Sequence, residues 1–379
     1  MAAKNKAYIV GYYGMRNSGD DALMLASAMG ARHFLGSEQV TVSAPDDDAL
    51  VNQIGCVGQQ PLLFRGHQRL WHYRHAYGAQ HVIFGGGSVL HSSRDIALKR
   101  HMMALSGRKQ SMALGVGIEP FKTLDDENQC KKFLYECGLV TLRDKQSYDI
   151  AEALAPHANL KHTFDLAPSL LHHLQGKLNP VKRQGIAFNF CPQSIDAFGN
   201  VNEHNELRRI AKAVDLITTV WSFTNEDIYL VDLNDQTKGS DRAIHDKIVA
   251  RLPDYVNVKR VSYVPNPASI LQCMAMFRVM IGMRLHAQIY AYMTQTPFIS
   301  LQYHAKCTQW CEQIGLPAQY AFDANEFSPD TLFRVMYRGL ERGFDAPSLA
   351  LNQAITLSLS NWSENYEHYS IHSRYSTVQ

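Results

Sequence analysis

Residues 279–306 read VMIGMRLHAQIYAYMTQTPFISLQYHAK, and this stretch decides how the rest of the chain is read. The apolar run FRVMIG (277–282) has the character of a buried strand, and Gly282 breaks it. Arg284 and His286 follow where a helix should begin. The pattern carries that helix to about Thr294, and Thr296-Pro297 stops it. A second apolar run, Phe298 to Tyr303, predicts the next strand, with Tyr303 and Lys306 at its end. In an open α/β sheet, ligands collect outside the carboxyl ends of the strands. A helix N-terminus adds unpaired N–H groups and positive partial charge. Cationic and ionisable residues at two such ends predict a site for a small anion, beside a histidine that can move protons.

Working outward, 379 residues are enough for two domains. A hydrophobic content of 46% and a charged content of 19% describe an ordinary globular chain. A formal net charge of +2 offers no bulk attraction for nucleic acid, so no nucleic-acid partner is expected. No apolar run reaches the length of a membrane span, and the N-terminus runs directly into a strand. Seven scattered cysteines, an odd number, fit free thiols in a reducing compartment, and a cytoplasmic protein is expected. Cys307 and Cys311 are one helical turn apart. Without a second pair at zinc spacing they read as packed side chains, and no metal is expected.

Ala7 to Gly11 predicts a strand, and GYYGMRNSGDDALM (11–24) a glycine-rich loop feeding a helix. Asn17 and Gly19 lie in that loop. Asp20 and Asp21 fall in the first helical turn, either as capping charges or as groups that orient or deprotonate a sugar hydroxyl. Neither a G-x-G-x-x-G fingerprint nor a P-loop is present there. A strand over 81–84 ends in Gly85-Gly86-Gly87-Ser88, a second place where backbone N–H groups can face a ligand, with His91 within reach. The strand Leu139 to Leu142 ends in Arg143-Asp144, where Arg143 either pairs with an acid or meets the ligand. The segment RGHQRLWHYRHAYGAQH (65–81) reads as a helix covering the domain, or as a basic-aromatic surface resting on anionic lipid.

Strands and helices alternate to about residue 175, and GKLNPVKRQ (176–184) reads as a linker. A second alternating series starts at Gly185. The expected architecture is therefore α/β: two doubly wound Rossmann-like domains with a cleft between them, over 1–176 and 185–345. A helical segment, 346–379, is expected to cross back onto the first.

The motifs GYYG-x-x-NSGDDA, FGGGS, LRD-x-x-S, GMRLHA and SLQYHAK, in that order, resemble those of the polysaccharide pyruvyltransferase family. GMRLHA with its following helix, T-P turn, strand and Tyr-x-x-Lys is the most specific. Family members usually carry an acidic residue or Pro between that Tyr and Lys, where this chain has His304-Ala305. The resemblance implies a GT-B-like fold and transfer of a pyruvyl group from phosphoenolpyruvate onto a sugar, usually as a cyclic ketal, in cell-surface polysaccharide synthesis. It implies Arg284 and His286 at the donor, with Arg143 carried over beside them.

The residues agree with that chemistry. Phosphoenolpyruvate has a carboxylate and a phosphate, and arginine forks suit both. Donor contacts are expected from Arg284, Tyr303 and Lys306 on the second domain and from Arg143 across the cleft, with His286 as general acid. The acceptor, a free or lipid-linked saccharide, is expected at Asn17, Gly19, Asp20, Asp21, Gly86, Gly87, Ser88 and His91 on the first domain. No cofactor beyond the co-substrate is expected. The competing readings are a sugar-nucleotide glycosyltransferase of the same architecture, a non-catalytic glycan- or anion-binding protein, and, for His286 alone, a structural packing role.

Overall fold

The computed structural model describes residues 5–61, 63–107, 110–174, 182–192, 203–237 and 239–362. Most of the expected linker and the last residues of the expected C-terminal segment lie outside them. The first sheet contains β1 (Lys6–Val10), β2 (Gln39–Pro45), β3 (Val57–Gln59), β4 (His81–Gly87), β5 (Ser111–Val116), β6 (Leu139–Leu142) and β7 (Leu160–His162). The second contains β8 (Ile186–Asn189), β9 (Ile228–Val231), β10 (Val258–Val261), β11 (Val279–Gly282), β12 (Phe298–Gln302) and β13 (Ala321–Asp323). Their spatial orders are β3-β2-β1-β4-β5-β6-β7 and β10-β9-β8-β11-β12-β13, and every strand pairing is parallel. The order reverses between β1 and β4 and again between β8 and β11. A crevice opens at each reversal, because successive crossover helices leave on opposite faces.

The strands β3, β7 and β13 were not legible in the sequence. Each is three residues long, too short for apolar alternation to register, and each gains its place by pairing with a longer neighbour. The helix expected after Arg284 runs Leu285–Met293, with Arg284 as its extended N-cap residue (ψ 142°). Almost every residue of it is buried, as befits a helix wedged between its own sheet and the other domain. It ends at Thr294 and Gln295, the latter at φ 53°. The helix Ser18–Leu35 begins where the Asn17 side chain accepts from Gly19 N, and it closes on left-handed Gly36. The described chain closes with two helices, Pro329–Arg342 and Leu351–Leu359.

The two sheets share one apolar cluster. Ala22, Leu25 and Phe164 from the first half belong to it, with Leu285, Tyr290 and Trp310 from the second. Backbone also crosses: Ser18 N donates to Leu233 O at 2.8 Å, Asp235 N to Arg16 O at 2.9 Å, and Asn17 bridges Asn234. The helix Leu351–Leu359 returns to the first domain. Ser169 N donates to Ser358 Oγ at 2.9 Å, and buried Asn361 donates to Phe164 O at 3.0 Å. Trp362 then stacks on Phe34 at 5.7 Å and lies over Gly30, where a Cβ would come 2.2 Å from the indole. Only glycine permits that approach.

Trp362 is 5% exposed, so its truncation leaves a cavity at the point where the chain crosses back. Trp362→Ala should cost about 3–5 kcal/mol in chemical denaturation. A loss well under 1 kcal/mol would show that the crossing is not part of the cooperative core.

Candidate active site between the two sheets

The candidate site lies where the two crevices face each other. From the first domain come the loop after β1, the glycines ending β4, and the residues following β5, β6 and β7. From the second come the residues following β8, β11 and β12.

Arg284 is positioned before its ligand arrives. Its Nε donates to Asp241 Oδ1 at 2.6 Å, and Nη2 donates to Gly239 O at 2.7 Å. Its backbone N is held by Asn189 Oδ1 at 3.1 Å. Asp241 is fully buried, and its other oxygen accepts from Asn189 Nδ2 at 2.9 Å, Leu233 N at 2.9 Å and Asn234 N at 3.1 Å. Burial opposes the Arg284 charge, but Asp241 outweighs it and holds the guanidinium above its ordinary pKa. Fixed through Nε and Nη2, the fork has Nη1 without a hydrogen-bond partner among the described residues. Because Arg284 precedes the helix rather than lying on it, it and His286 need not obey helical spacing, and both face the cleft.

His286 lies against the first domain. A Cβ added to Gly19 would lie 2.1 Å from its Nδ1, so glycine is the residue that admits the ring. Nε2 is inaccessible and has no hydrogen-bond partner among the described residues. Burial pushes the imidazole down to about 4; Asp165 acts to raise it, while Arg143, Lys306 and Arg284 push it further down.

Arg143 is buried, with Nη1 3.3 Å from Asp165 Oδ2 and Nε 3.7 Å from Asp144 Oδ2. It therefore has the acid partner that one reading expected and still acts electrostatically on His286, Asp20 and Glu119. It crosses Gly117, whose added Cβ would come 3.0 Å from Nε. Lys306, in the first turn of the helix Ala305–Ile314, acts on the same groups. Tyr303 is half-buried beside Cys191 and Arg284, and burial holds its phenol well above the usual range. His304 caps the helix that carries Lys306, accepting from Lys306 N.

On the opposite wall, Asn17 accepts from Gly19 N and donates to Asp20 Oδ2 at 2.7 Å. Burial pushes Asp20 up to about 7, against the pull of Lys306, Asn17, Arg284 and Arg143. Gly86 and Gly87 take left-handed conformations, φ 58° and 78°, and a Cβ on Gly87 would lie 4.0 Å from Asp20 Oδ1. Ser88 donates to Glu119 at 2.8 Å. Burial alone would raise Glu119, but Ser88, Lys306, His304 and Arg143 together hold it below its ordinary value.

Two residues expected at the acceptor are placed differently. Asp21 turns to the domain interface, where Tyr263 donates to it at 2.7 Å and burial raises it to about 7. His91 is exposed, with Nδ1 3.0 Å from the Ser88 carbonyl. Asp165, Glu119 and Asp241 were missed in the sequence. Glu119 lies just past the carboxyl end of β5, where the strand-end rule that singled out Arg143 could have found it, whereas Asp165 follows β7, a strand too short to read from the sequence. Asp241 looks like an ordinary helix-start acid until the fold brings Arg284 to it. Cys307 and Cys311 are buried, unbridged packing residues. Among the described residues, no group of three or more His, Cys, Asp or Glu side chains is arranged to hold a metal ion. A cavity of about 490 Å³ lined by Thr296, Pro297, Phe298 and Phe344 opens at the amino end of β12, away from this chemistry.

The fold is shared with several solved enzymes. UDP-GlcNAc 2-epimerase from Methanocaldococcus jannaschii superposes with a TM-score of 0.60 at 8% identity, covering 93% of this chain and 97% of that one. A putative UDP-N-acetylglucosamine 2-epimerase from Listeria monocytogenes gives 0.59 at 11% identity, covering 93% and 94%. The S. aureus MnaA structure with UDP gives 0.57 at 9%, covering 96% and 93%. At such identities the likeness speaks for the fold alone, two parallel α/β sheets in the GT-B arrangement. No curated protein matches in sequence. The family model described as polysaccharide pyruvyl transferase matches residues 17–305, from the N-cap of the first helix to the start of the helix bearing Lys306. The chain belongs to the polysaccharide pyruvyl transferase family.

Proposed function

We propose that the protein transfers the pyruvyl group of phosphoenolpyruvate onto two hydroxyls of a saccharide, forming a cyclic ketal. The observation that carries this reading is the convergence of Arg143, Arg284 and Lys306 around His286, with Asp20 on the facing wall. A donor with two anionic groups suits three cations, and an acceptor hydroxyl suits a carboxylate whose pKa is about 7.

In this reaction His286 gives a proton to the methylene carbon of the donor. C2 becomes oxocarbenium-like, and a sugar hydroxyl oxygen bonds to it as Asp20 takes the hydroxyl proton. The bond from C2 to the phosphate oxygen breaks and phosphate leaves. The second hydroxyl closes the ring at C2. Of the two hydroxyl protons released, one restores His286 and the other leaves with phosphate. Asp165 and Asp241 hold the arginines; Ser88 and Glu119 line the acceptor side. In the empty site the imidazole is neutral near pH 7, since burial and three cations disfavour its charge. The donor's anions reverse that balance, so donor binding loads the acid. A nucleotide-sugar transferase of the same architecture would not need that loading. Isotope-labelled phosphoenolpyruvate against labelled nucleotide sugar distinguishes the two by which label reaches the saccharide.

Arg284→Lys keeps the charge but loses the fork that Asp241 orients. Donor affinity measured by calorimetry should fall about tenfold or more. An unchanged affinity would remove Arg284 from contact with the donor.

His286→Gln keeps size and hydrogen bonding but cannot cycle a proton. Turnover should fall by ~10²–10⁴-fold while the donor still binds. Donor titrations near pH 7, repeated in buffers of different ionisation enthalpy, should register more proton uptake in the wild type than in this variant. Equal uptake, or near wild-type turnover, would end the assignment of His286 as the acid.

A further inference from the structure

The face beyond β3 is unlike the rest of the surface. The chain from Asp48 to Asp95 contains no acidic residue between those two ends. Within it, the loop leaving β3 and the helix His67–Tyr77 expose large apolar side chains: Leu63 at 81%, Phe64 at 57%, Leu70 at 56% and Tyr77 at 76%. Arg65, Arg69 and Arg74 are exposed among them. The inner face of the same helix is spent on the core, where Trp71, His72 and Ala76 are buried. The tip is built rather than loose: Leu63 N donates to His67 Nδ1 at 3.0 Å, and the Phe64 ring stacks on the His67 ring at 4.9 Å. Two apolar side chains are thereby held out into solvent.

Its location follows from topology. All strands of the first sheet are parallel, so the loop leaving β3 lies on the same rim as the loops leaving β1 and β4. Those carry Asn17, Asp20 and Gly87. The nearest acids along that rim, Asp46 and Asp48 in the turn after β2, are occupied by Gly58 N and Gln60, and by Leu50 N and Val51 N. Asp47 is exposed.

We propose that this face docks the protein on an anionic lipid bilayer, with Leu63 and Phe64 entering the interface, Leu70 and Tyr77 lying along it, and the three arginines meeting lipid phosphates. Several features favour lipid over other occupants. The most exposed apolar side chains, Leu63 and Phe64, stand side by side at the end of a loop next to Arg65, the mixture an anionic lipid interface takes up. The arginines flank them as anionic headgroups require, and an aromatic ring sits at the level of the headgroups. A second copy docking by the same face would oppose three arginines to three arginines. No helix among the described residues is long and apolar enough to cross a membrane, so the contact is peripheral. Docked this way, the tip at Leu63 and Phe64 brings the carboxyl rim of the first sheet, which borders the cleft, close to the bilayer surface. The docking itself does not depend on the reaction proposed above.

The test is co-sedimentation of the full chain with vesicles of phosphatidylcholine alone or containing about one-third phosphatidylglycerol, across a salt series. The protein should partition into the anionic vesicles and leave them as salt rises. Replacing the three arginines together (R65Q, R69Q, R74Q) should weaken that partition on the order of 100-fold. The pair L63S and F64S should weaken it as well, with the melting temperature unchanged because these side chains are exposed. Equal or negligible binding to both vesicle types overturns the proposal, and so does full binding by both variants. Capture on immobilised polyglutamate without vesicle binding would reassign the face to an acidic protein. A concentration-dependent mass increase abolished by L63S/F64S would reassign it to a second copy; both results refute lipid docking. The salt series on the wild type needs no variant and decides the matter even if one fails to fold.

Discussion

The Asp241 carboxylate is the point on which the site depends. It is fully buried and accepts from Arg284, Asn189, Leu233 N and Asn234 N. A buried carboxylate without such partners would be very costly, so each donor is held as firmly as it holds the acid. Three things follow from this one group. Arg284 is held in one orientation. The ends of β8 and β9 are tied together at the crevice, through Asn189 and Leu233. And the segment Leu233–Asn234, stiffened by it, is the strip of backbone that meets Asn17 and Ser18 of the other domain. The start of the helix that carries Asp20 thus meets backbone that the same carboxylate holds beside Arg284.

The cleft gathers three cations and several acids around one buried histidine. Arg143, Arg284 and Lys306 act on common neighbours, with Asp144 and Asp165 beside Arg143 and Asp241 beside Arg284. The effect of the cations has the same direction on both titrating groups, whereas that of burial does not. They lower His286, which burial already lowers, and they pull down Asp20, which burial raises. One carboxyl stands near 7 and one imidazole near 4, and an anion bound beside either would raise it. The pKa of a catalytic group in such a place belongs to the occupancy of the site as much as to the residue.

Much of this was open to reading from the chain. Apolar runs bounded by glycine and proline marked the long strands, because a strand buried on both faces must be apolar throughout. Cations placed just after those runs pointed to an anion site, because parallel strands all present their carboxyl ends to one crevice. The motif order carried the family, which the family model over 17–305 also assigns. What stayed hidden was short or distant. Strands β3, β7 and β13 have too few residues to show a period. Asp165 and Asp241 acquire meaning only when residues 22 and 43 positions away in sequence arrive beside them.

The division between the two has a physical cause. Local chemistry is written locally: a glycine that can turn, an asparagine that can cap, an arginine at a strand end. From these the sequence alone determined the α/β alternation, the two-sheet organisation and the residue types of an anion site. Burial and long-range pairing are properties of the folded chain. The tertiary structure alone decided that Asp20 faces the cleft while Asp21 turns to Tyr263. It alone put Gly19 beneath His286 and made one arginine's orientation rest on an acid from another helix, because dielectric and distance exist only once the two sheets have closed on each other.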